Sequence, residues 1–200
     1  MKKYLVMAVA AIMATVSISA QEEDYLKHEV AVSYGGMSNS TWMSIGDALG
    51  TVIVSFGAIR YDDGSFFGPL GLEYFYHTNP VVGFGAVAVY AKETKNMFIG
   101  SEPWGEATNT YVTVMPAAKF NWLRKKYFGM YSKVGAGVTF RTQKEDYPDG
   151  KHEDRSESKV FFNLQLTGIG LEAGPKNVRG FLELGVGEQG MALVGLRCKF

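Results

Sequence analysis

The second half of the chain alternates in polarity. Phe128, Met130, Ser132, Val134, Ala136, Val138 and Phe140 share one parity, while Gly129, Tyr131, Lys133, Gly135, Gly137, Thr139 and Arg141 share the other. Successive side chains of a strand point to opposite faces, so period two predicts a strand with one apolar face. Val112, Val114, Pro116, Ala118, Phe120 and Trp122 oppose Tyr111, Thr113, Met115, Ala117, Lys119 and Asn121 in the same way. Val160, Phe162, Leu164 and Leu166 oppose Phe161, Asn163, Gln165 and Thr167, and Leu182, Leu184 and Val186 oppose Phe181, Glu183, Gly185 and Gly187. Leu70, Leu72, Tyr74 and Tyr76 oppose Gly71, Glu73, Phe75 and His77; Val82, Phe84, Ala86, Ala88 and Tyr90 form a further apolar face, and Val30, Val32 and Tyr34 open the series. The pattern predicts eight strands at 28–36, 66–77, 81–92, 109–122, 127–142, 158–173, 178–188 and 191–200.

The connections alternate in length. His77-Thr78-Asn79-Pro80, Leu123-Arg124-Lys125-Lys126 and Gly174-Pro175-Lys176-Asn177 are tight links rich in turn residues. The first, third and fifth connections, at 37–65, 93–108 and 143–157, are long, and the seventh, Glu188-Gln189-Gly190, is short. Short turns on one side and long loops on the other are the pattern of an up-and-down membrane barrel with both termini on the short-turn side. Within the first long loop, Trp42, Ile45, Leu49, Val52, Ile53 and Phe56 fall on one face of a helix with Ser40 or Thr41 as its N-cap. The competing reading is a β-hairpin extension turning at Asp62-Asp63-Gly64. The predicted fold is therefore all-β: an eight-stranded antiparallel up-and-down transmembrane β-barrel with a short helix in the first external loop.

Both ends of the chain fit export to a membrane. Lys2 and Lys3 precede an uncharged apolar run over Tyr4–Val16, then Ser17-Ile18-Ser19-Ala20 and the acidic Gln21-Glu22-Glu23-Asp24. This reads as a secretory signal peptide over 1–20, cleaved after Ala20 or one residue earlier, with the barrel domain over 21–200. The run is shorter than the ~18–20 residues of a spanning helix. At the other end Ala192, Val194, Leu196, Cys198 and Phe200 share an apolar face against Met191, Leu193, Gly195, Arg197 and Lys199. A closing strand that ends in register on an aromatic looks like the C-terminal insertion signal of bacterial outer-membrane barrels, which the barrel assembly machinery reads.

Composition sharpens this picture. The 200 residues include 24 Gly and 14% aromatics, a mix that suits tight turns and strands. Aromatics gather near strand ends, as the girdles of a barrel do: Tyr74, Tyr76, Phe120, Trp122, Phe128 and Phe200 beside the short turns, Tyr34, Tyr90, Phe140 and Phe162 beside the long loops. With 20 basic and 20 acidic residues the chain has no basic excess, which argues against nucleic-acid binding. One cysteine excludes an intramolecular disulfide scaffold and a cysteine zinc cage.

The segment Tyr111–Gly129, with its Pro-Ala-Ala-Lys-Phe-Asn-Trp-Leu-Arg-Lys-Lys core, resembles the strand-turn-strand block of the small outer-membrane β-barrel proteins of Bacteroidota. Ser156-Glu157-Ser158 leading into Phe161–Leu166 and the closing strand are similar too, so the resemblance covers most of the mature chain. It implies fold and outer-membrane location and no activity. A mid-strand proline removes a ladder donor. Pro116 recurs in the resembling proteins and predicts a bulge or local irregularity.

The candidate chemistry lies in the interior. Glu29, Glu73 and Glu183 fall on inward faces with Lys119, Lys133, Arg141, Arg197 and Lys199. An eight-stranded barrel is just wide enough for side chains to fill, and isolated interior charges would cost several kcal/mol each, so they should pair into a plug. A narrow ion or proton path is the functional alternative. No catalytic constellation is expected: His28 and His77 sit at strand ends by the short turns, and His152 lies in a charged loop, away from any Ser near the far rim. Asp146, Asp149, Glu153 and Asp154 read as a solvated loop rather than a Ca²⁺ site. No cofactor or metal is predicted. The expected role is structural or surface interaction, with outer-membrane lipid and lipopolysaccharide as partners. A barrel for small hydrophobic molecules, or a soluble calycin-like binder with an apolar cavity, are the competing readings.

Overall fold

The computed structural model describes residues 25–36, 38, 59–99, 102–146 and 155–200. Its strands are β1 (His28–Gly36), β2 (Ile59–His77), β3 (Val82–Ile99), β4 (Glu102–Arg124), β5 (Phe128–Asp146), β6 (Arg155–Ala173), β7 (Val178–Gly187) and β8 (Ala192–Lys199). Each pairs antiparallel with its sequence neighbours, and β1 closes the barrel against β8. Closure runs along the whole of β1, from Glu29↔Lys199 to Gly36↔Ala192. His28 and Phe200 extend it by exchanging backbone hydrogen bonds of 2.8 and 2.9 Å, and the Phe200 ring stacks on the His28 ring at 5.5 Å.

The tight links form where the sequence supplies turn chemistry. Asn79 Oδ1 accepts from the backbone N–H groups of Val81 and Val82, both at 2.8 Å, so its side chain replaces part of the ladder at the β2–β3 turn. Gly174 starts the β6–β7 turn with φ +140°, a conformation open to glycine. Its N–H donates to Tyr127 O at 3.0 Å, which ties this turn to the one between β4 and β5.

Several expectations change. The connections at 93–108 and 143–157 are not long loops: β3, β4, β5 and β6 continue as paired strands through most of them, with Glu93↔Asn109 and Lys144↔Ser156 in register. The physical reason is that alternating Thr, Asn, Lys and Glu side chains serve a strand whose two faces both meet polar surroundings. The turn at Asp62-Asp63-Gly64 that the competing hairpin reading required is absent, since β2 passes through these residues with a register shift between Asp62 and Ser65. The helix face expected over Trp42–Phe56 lies outside the described residues, and the last part of the expected loop, 59–65, belongs to β2. The signal peptide also lies outside them. At Pro116 no residue is inserted: pairing with β5 lapses between Val114↔Val138 and Ala117↔Gly135 and resumes in the same register. The missing N–H thus opens a gap in one ladder rather than a bulge.

Polarity across the wall is inverted relative to a soluble barrel. Leu72 is 55% exposed, Leu196 65% and Phe162 72%, whereas Glu29, Lys119 and Arg197 are 0% exposed. The exposed aromatics Tyr74, Tyr76, Trp122, Phe128 and Phe200 lie at the short-turn end, with Phe120 half-buried among them. Tyr34, Tyr90 and Phe140 are exposed toward the other end, where Phe67 bridges Tyr34 and Tyr90 at ring separations of 6.2 and 6.4 Å.

Candidate functional site in the barrel interior

Register brings the inward charges together. Ala31 and Arg179 flank Arg197 on neighbouring strands, Glu73 is the partner of Ala31 on β2, and Glu183 stands opposite Leu193, four residues before Arg197 on β8. Arg197 is the hub. Its Nη1 donates to Glu172 Oε2 at 2.7 Å and its Nη2 to Tyr131 Oη at 3.0 Å. Its Nε faces Glu29 Oε1 at 2.7 Å without hydrogen-bond alignment, and Nη2 stands 3.7 Å from Glu73 and 3.8 Å from Glu183.

Around this hub the charges form two layers. Nearer the short turns, Lys119 Nζ donates to both Glu29 oxygens at 2.8 and 2.9 Å, and His77 Nε2 lies 3.1 Å from Glu29 Oε2. Glu172 in the same layer receives Arg179 Nη1 at 2.7 Å and Lys199 Nζ at 2.6 Å. In the second layer Lys133 Nζ joins Glu73 to Glu183, while Tyr131 Oη and Thr167 Oγ1 donate to Glu183 at 2.6 and 2.7 Å. A buried ion pair repays desolvation only when the remaining polar atoms are satisfied. Here each carboxylate collects two or more charged or hydroxyl partners, while Glu73 Oε2 and Gln189 Oε1 are buried without a hydrogen bond among the described residues.

Glycines make room for the rings that hold the hub. A Cβ at Gly170 would strike the Tyr131 ring, and one at Gly195 the Phe181 ring. These two rings lie 4.5 and 4.3 Å from the Arg197 guanidinium, a cation–π clamp on a charge with no access to water. Beside the charges an apolar cluster of Phe75, Val87, Val89, Met115 and Ala117 fills the interior.

The seventh connection is short and lies at the far end of the barrel, but it does not project outward. Glu188, Gln189 and Gly190 are buried, folded into the far mouth of the barrel. Gln189 Nε2 donates to Glu73 Oε1 at 2.6 Å and its backbone N–H to Gln165 Oε1 at 2.8 Å, while Asn163 Nδ2 donates to Glu188 Oε2 at 2.7 Å. Gly35 provides the space, since a Cβ there would collide with the Gln189 carbonyl. The turn thus roofs the second charged layer.

Arg141 does not reach the hub's position. It is buried nearer the far mouth, where Nη2 donates to Asn109 Oδ1 at 3.2 Å and to Gln143 Oε1 at 2.9 Å. Glu172 was missed by strict alternation. Even positions of β6 face outward through Leu166, which would put Glu172 outside. A register shift between Thr167 and Ile169 inverts the phase, so Ile169 and Leu171 face outward and Glu172 inward. The signal was present: without a bulge near Gly168, two aliphatics would enter the lumen and one carboxylate would leave it. His77, Arg179, Tyr131 and Gln189 were also not assigned to the network. Arg179 follows a turn and Gln189 belongs to one, and period-two reasoning is weakest there. His28 bonds Tyr74 Oη at 2.9 Å through Nδ1, and Cys198 is exposed on the outer face.

The fold and this interior define a closed eight-stranded antiparallel barrel with charged contents and an apolar exterior. No family model and no curated protein matches the chain. Among solved structures it is similar to Ail, the attachment invasion locus protein of Yersinia pestis. The complex of Ail with the heparin analogue sucrose octasulfate aligns with TM-score 0.47 and 16% identity, covering 88% of this chain and 100% of that one. A second Ail crystal structure aligns with TM-score 0.43 and 15% identity over 88% and 99% of the two chains.

Proposed function

We propose that the chain is an outer-membrane barrel protein with a plugged lumen, whose role is structural or surface interaction through its extended far rim. One observation carries this reading: Arg197, completely buried, is held by four glutamates, while the opposite faces of the same strands expose Val194, Leu196, Leu72 and Phe162. Water would favour the reverse arrangement, and a hydrocarbon surround favours this one. A soluble calycin-like binder would need an apolar cavity and a polar exterior. The charged layers and the Glu188–Gly190 roof occupy the space that a transport path would need. Proposed partners are outer-membrane lipid, lipopolysaccharide at the far rim, and the barrel assembly machinery during biogenesis.

The test is electrophoresis of the folded protein with and without boiling, paired with planar-bilayer recording. A heat-dependent shift in migration and little conductance are expected. Identical migration together with buffer solubility would overturn the membrane reading, and stable large channels would overturn the plug. We further propose that Ala192, Val194, Leu196, Cys198 and Phe200 form the insertion signal. Deleting Phe200 is expected to lower the assembled fraction in cells, since it removes the final backbone pair with His28 and the ring stacked on it. Normal assembly of that variant in a membrane-fractionation assay would count against the signal.

A further inference from the structure

Toward the far end the outer wall of β3–β6 changes chemistry row by row. Directly opposed residues of paired strands stand side by side on one face, so register lines up the outward side chains. The last apolar row is Leu70, Tyr90, Val112, Phe140 and Val160, all exposed. Two residues further from the short turns, at the same parity, stand Lys92, Thr110, Thr142 and Ser158. The next row holds Thr94, Thr108, Lys144 and Ser156. No register shift interrupts these rows between β3 and β6, so they share the outward face of the apolar row.

The two lysines of this face are unengaged. Lys92 and Lys144 are exposed and have no ion-pair or hydrogen-bond partner among the described residues, whereas Lys119, Lys133 and Lys199 inside the barrel are all paired. Thr110, Thr142, Ser156 and Ser158 likewise make no side-chain hydrogen bond among the described residues. Thr94 and Thr108 share a hydroxyl contact of 3.4 Å, and Thr108 Oγ1 donates to Glu106 Oε1 at 3.5 Å. The acids of this face lie one row further out: Glu106, with Asp62 and Asp146 at register positions of the same row. The lysines and free hydroxyls therefore stand between the acids and the apolar band. Strands lie about 4.8 Å apart and rise about 3.4 Å per residue. Lys92 on β3 and Lys144 on β5 are then about 12 Å apart at Cα, with Thr110 and Thr108 of β4 between them. With strands tilted by roughly 35–45°, Lys92 lies about 5 Å and Lys144 about 10 Å beyond the Tyr90–Phe140 row along the barrel axis. Lipid headgroups fill a layer of about that depth outside the hydrocarbon core, and interfacial aromatics sit at its level. A lipid against this wall lays its acyl chains on Val112, Phe140 and Val160 and its headgroup on the lysines and hydroxyls. Free ammonium groups favour an anion, and the hydroxyls between them favour a ligand rich in hydroxyls and ring oxygens. A phosphorylated sugar uses both kinds of group, whereas a glycerol phosphate uses chiefly the first.

We propose that the outward face of β3–β6 carrying Lys92, Thr108, Thr110, Thr142, Lys144 and Ser158 is a binding site for the phosphorylated sugar headgroup of an acylated lipid in the same leaflet, the lipid A portion of lipopolysaccharide. The proposal rests on the membrane reading above. It gives the lipopolysaccharide contact a place on the side wall, just beyond the aromatic row, rather than at the loop tips.

The test uses the full barrel refolded in neutral detergent, with the gel shift confirming the folded state of every variant. Native mass spectrometry and thermal unfolding follow titration with lipid A, with dephosphorylated lipid A and with phosphatidylglycerol. Saturable retention of lipid A and a rise in the unfolding midpoint are expected, with weaker responses to the other two lipids. Lys92→Gln/Lys144→Gln is expected to weaken lipid A binding about tenfold, the effect of losing two exposed ion pairs. Thr110→Val/Thr142→Val keeps β-branched, strand-favouring side chains and removes only hydroxyls. It is expected to weaken lipid A binding several-fold and to leave the phosphatidylglycerol response unchanged. Lys125→Gln/Lys126→Gln removes the same charge from the short-turn end and is expected to bind lipid A as the parent does. Equal retention of lipid A and either comparison lipid would make the lysines plain interfacial anchors and overturn the site, as would an equal loss in Lys125→Gln/Lys126→Gln. A dimer that forms without lipid and is lost in Thr110→Val/Thr142→Val would assign the face to a second copy and overturn it too. A folded chain that is soluble in buffer and shows no gel shift would overturn the membrane reading itself, whereas a normal gel shift without lipid A retention overturns this site alone.

Discussion

Arg197→Met is expected to cost the barrel about 3–5 kcal/mol, the range found when one partner of a buried charge network is removed. The side chain stands within 4 Å of Glu29, Glu73, Glu172 and Glu183 at once, and no other cation among the described residues does so. Methionine keeps much of the volume between the Tyr131 and Phe181 rings, so lost packing is a small part of the effect. The larger part is four carboxylates left with fewer compensating charges. Lys119 and His77 still serve Glu29, and Arg179 and Lys199 still serve Glu172, but the two layers lose their bridge. Urea titration of the refolded protein in vesicles, followed by tryptophan fluorescence and by the gel shift, measures the loss. Adding Glu29→Gln to Arg197→Met is expected to recover part of it, because the neutral amide removes an uncompensated charge. Such recovery is the non-additivity expected of groups in contact. A loss below about 1 kcal/mol would mean that water screens the interior and that the charges do not act as a buried unit.

Most of the wall was legible because alternation is a local property. Val134, Val138 and Phe140 declare their face within a single strand, and the same holds for Leu182, Leu184 and for the closing residues up to Phe200. Where alternation breaks, the sequence alone misplaces a residue, as with Glu172 beyond the irregularity at Gly168. Which charges meet is a different matter, because barrel register decides it. Glu29 and Lys119 are ninety residues apart and pair at 2.8 Å, and nothing in either strand encodes that partner. Arg141 has the same parity as Lys133 but sits eight residues further along β5, and that rise places it in another layer. Loop lengths were overestimated for a related reason. Turn residues end a strand visibly, whereas a polar strand continuing beyond the apolar band resembles a loop, as Lys92–Asn96 does. The inward fold of Glu188-Gln189-Gly190 depends on the space left by Gly35 on β1, a contact between strands that meet only on closure.

Val134→Arg is expected to destabilise the inserted barrel by about 2–4 kcal/mol, the cost of an arginine facing midplane lipid. Val134 points outward and is 42% exposed, and it lies six residues from Phe128 and six from Phe140, the exposed aromatics toward either end of β5. Strands rise about 3.4 Å per residue and tilt by roughly 35–45° in such barrels. The two rings are then separated by about 30 Å along the barrel axis, close to the height of the apolar band, with Val134 at its middle. The neighbouring Lys133 carries a charge one residue away and is stable because its side chain turns inward to Glu73 and Glu183. A step of one position therefore separates a charge the fold requires from one it rejects. Reversible unfolding in lipid vesicles measures the difference, with Val134→Leu as a control expected near zero. In a water-facing wall the arginine would be neutral, since an exposed cation meets no desolvation penalty. Equal stability of Val134→Arg and Val134→Leu would thus reverse the assignment of the two faces, and with it the membrane reading.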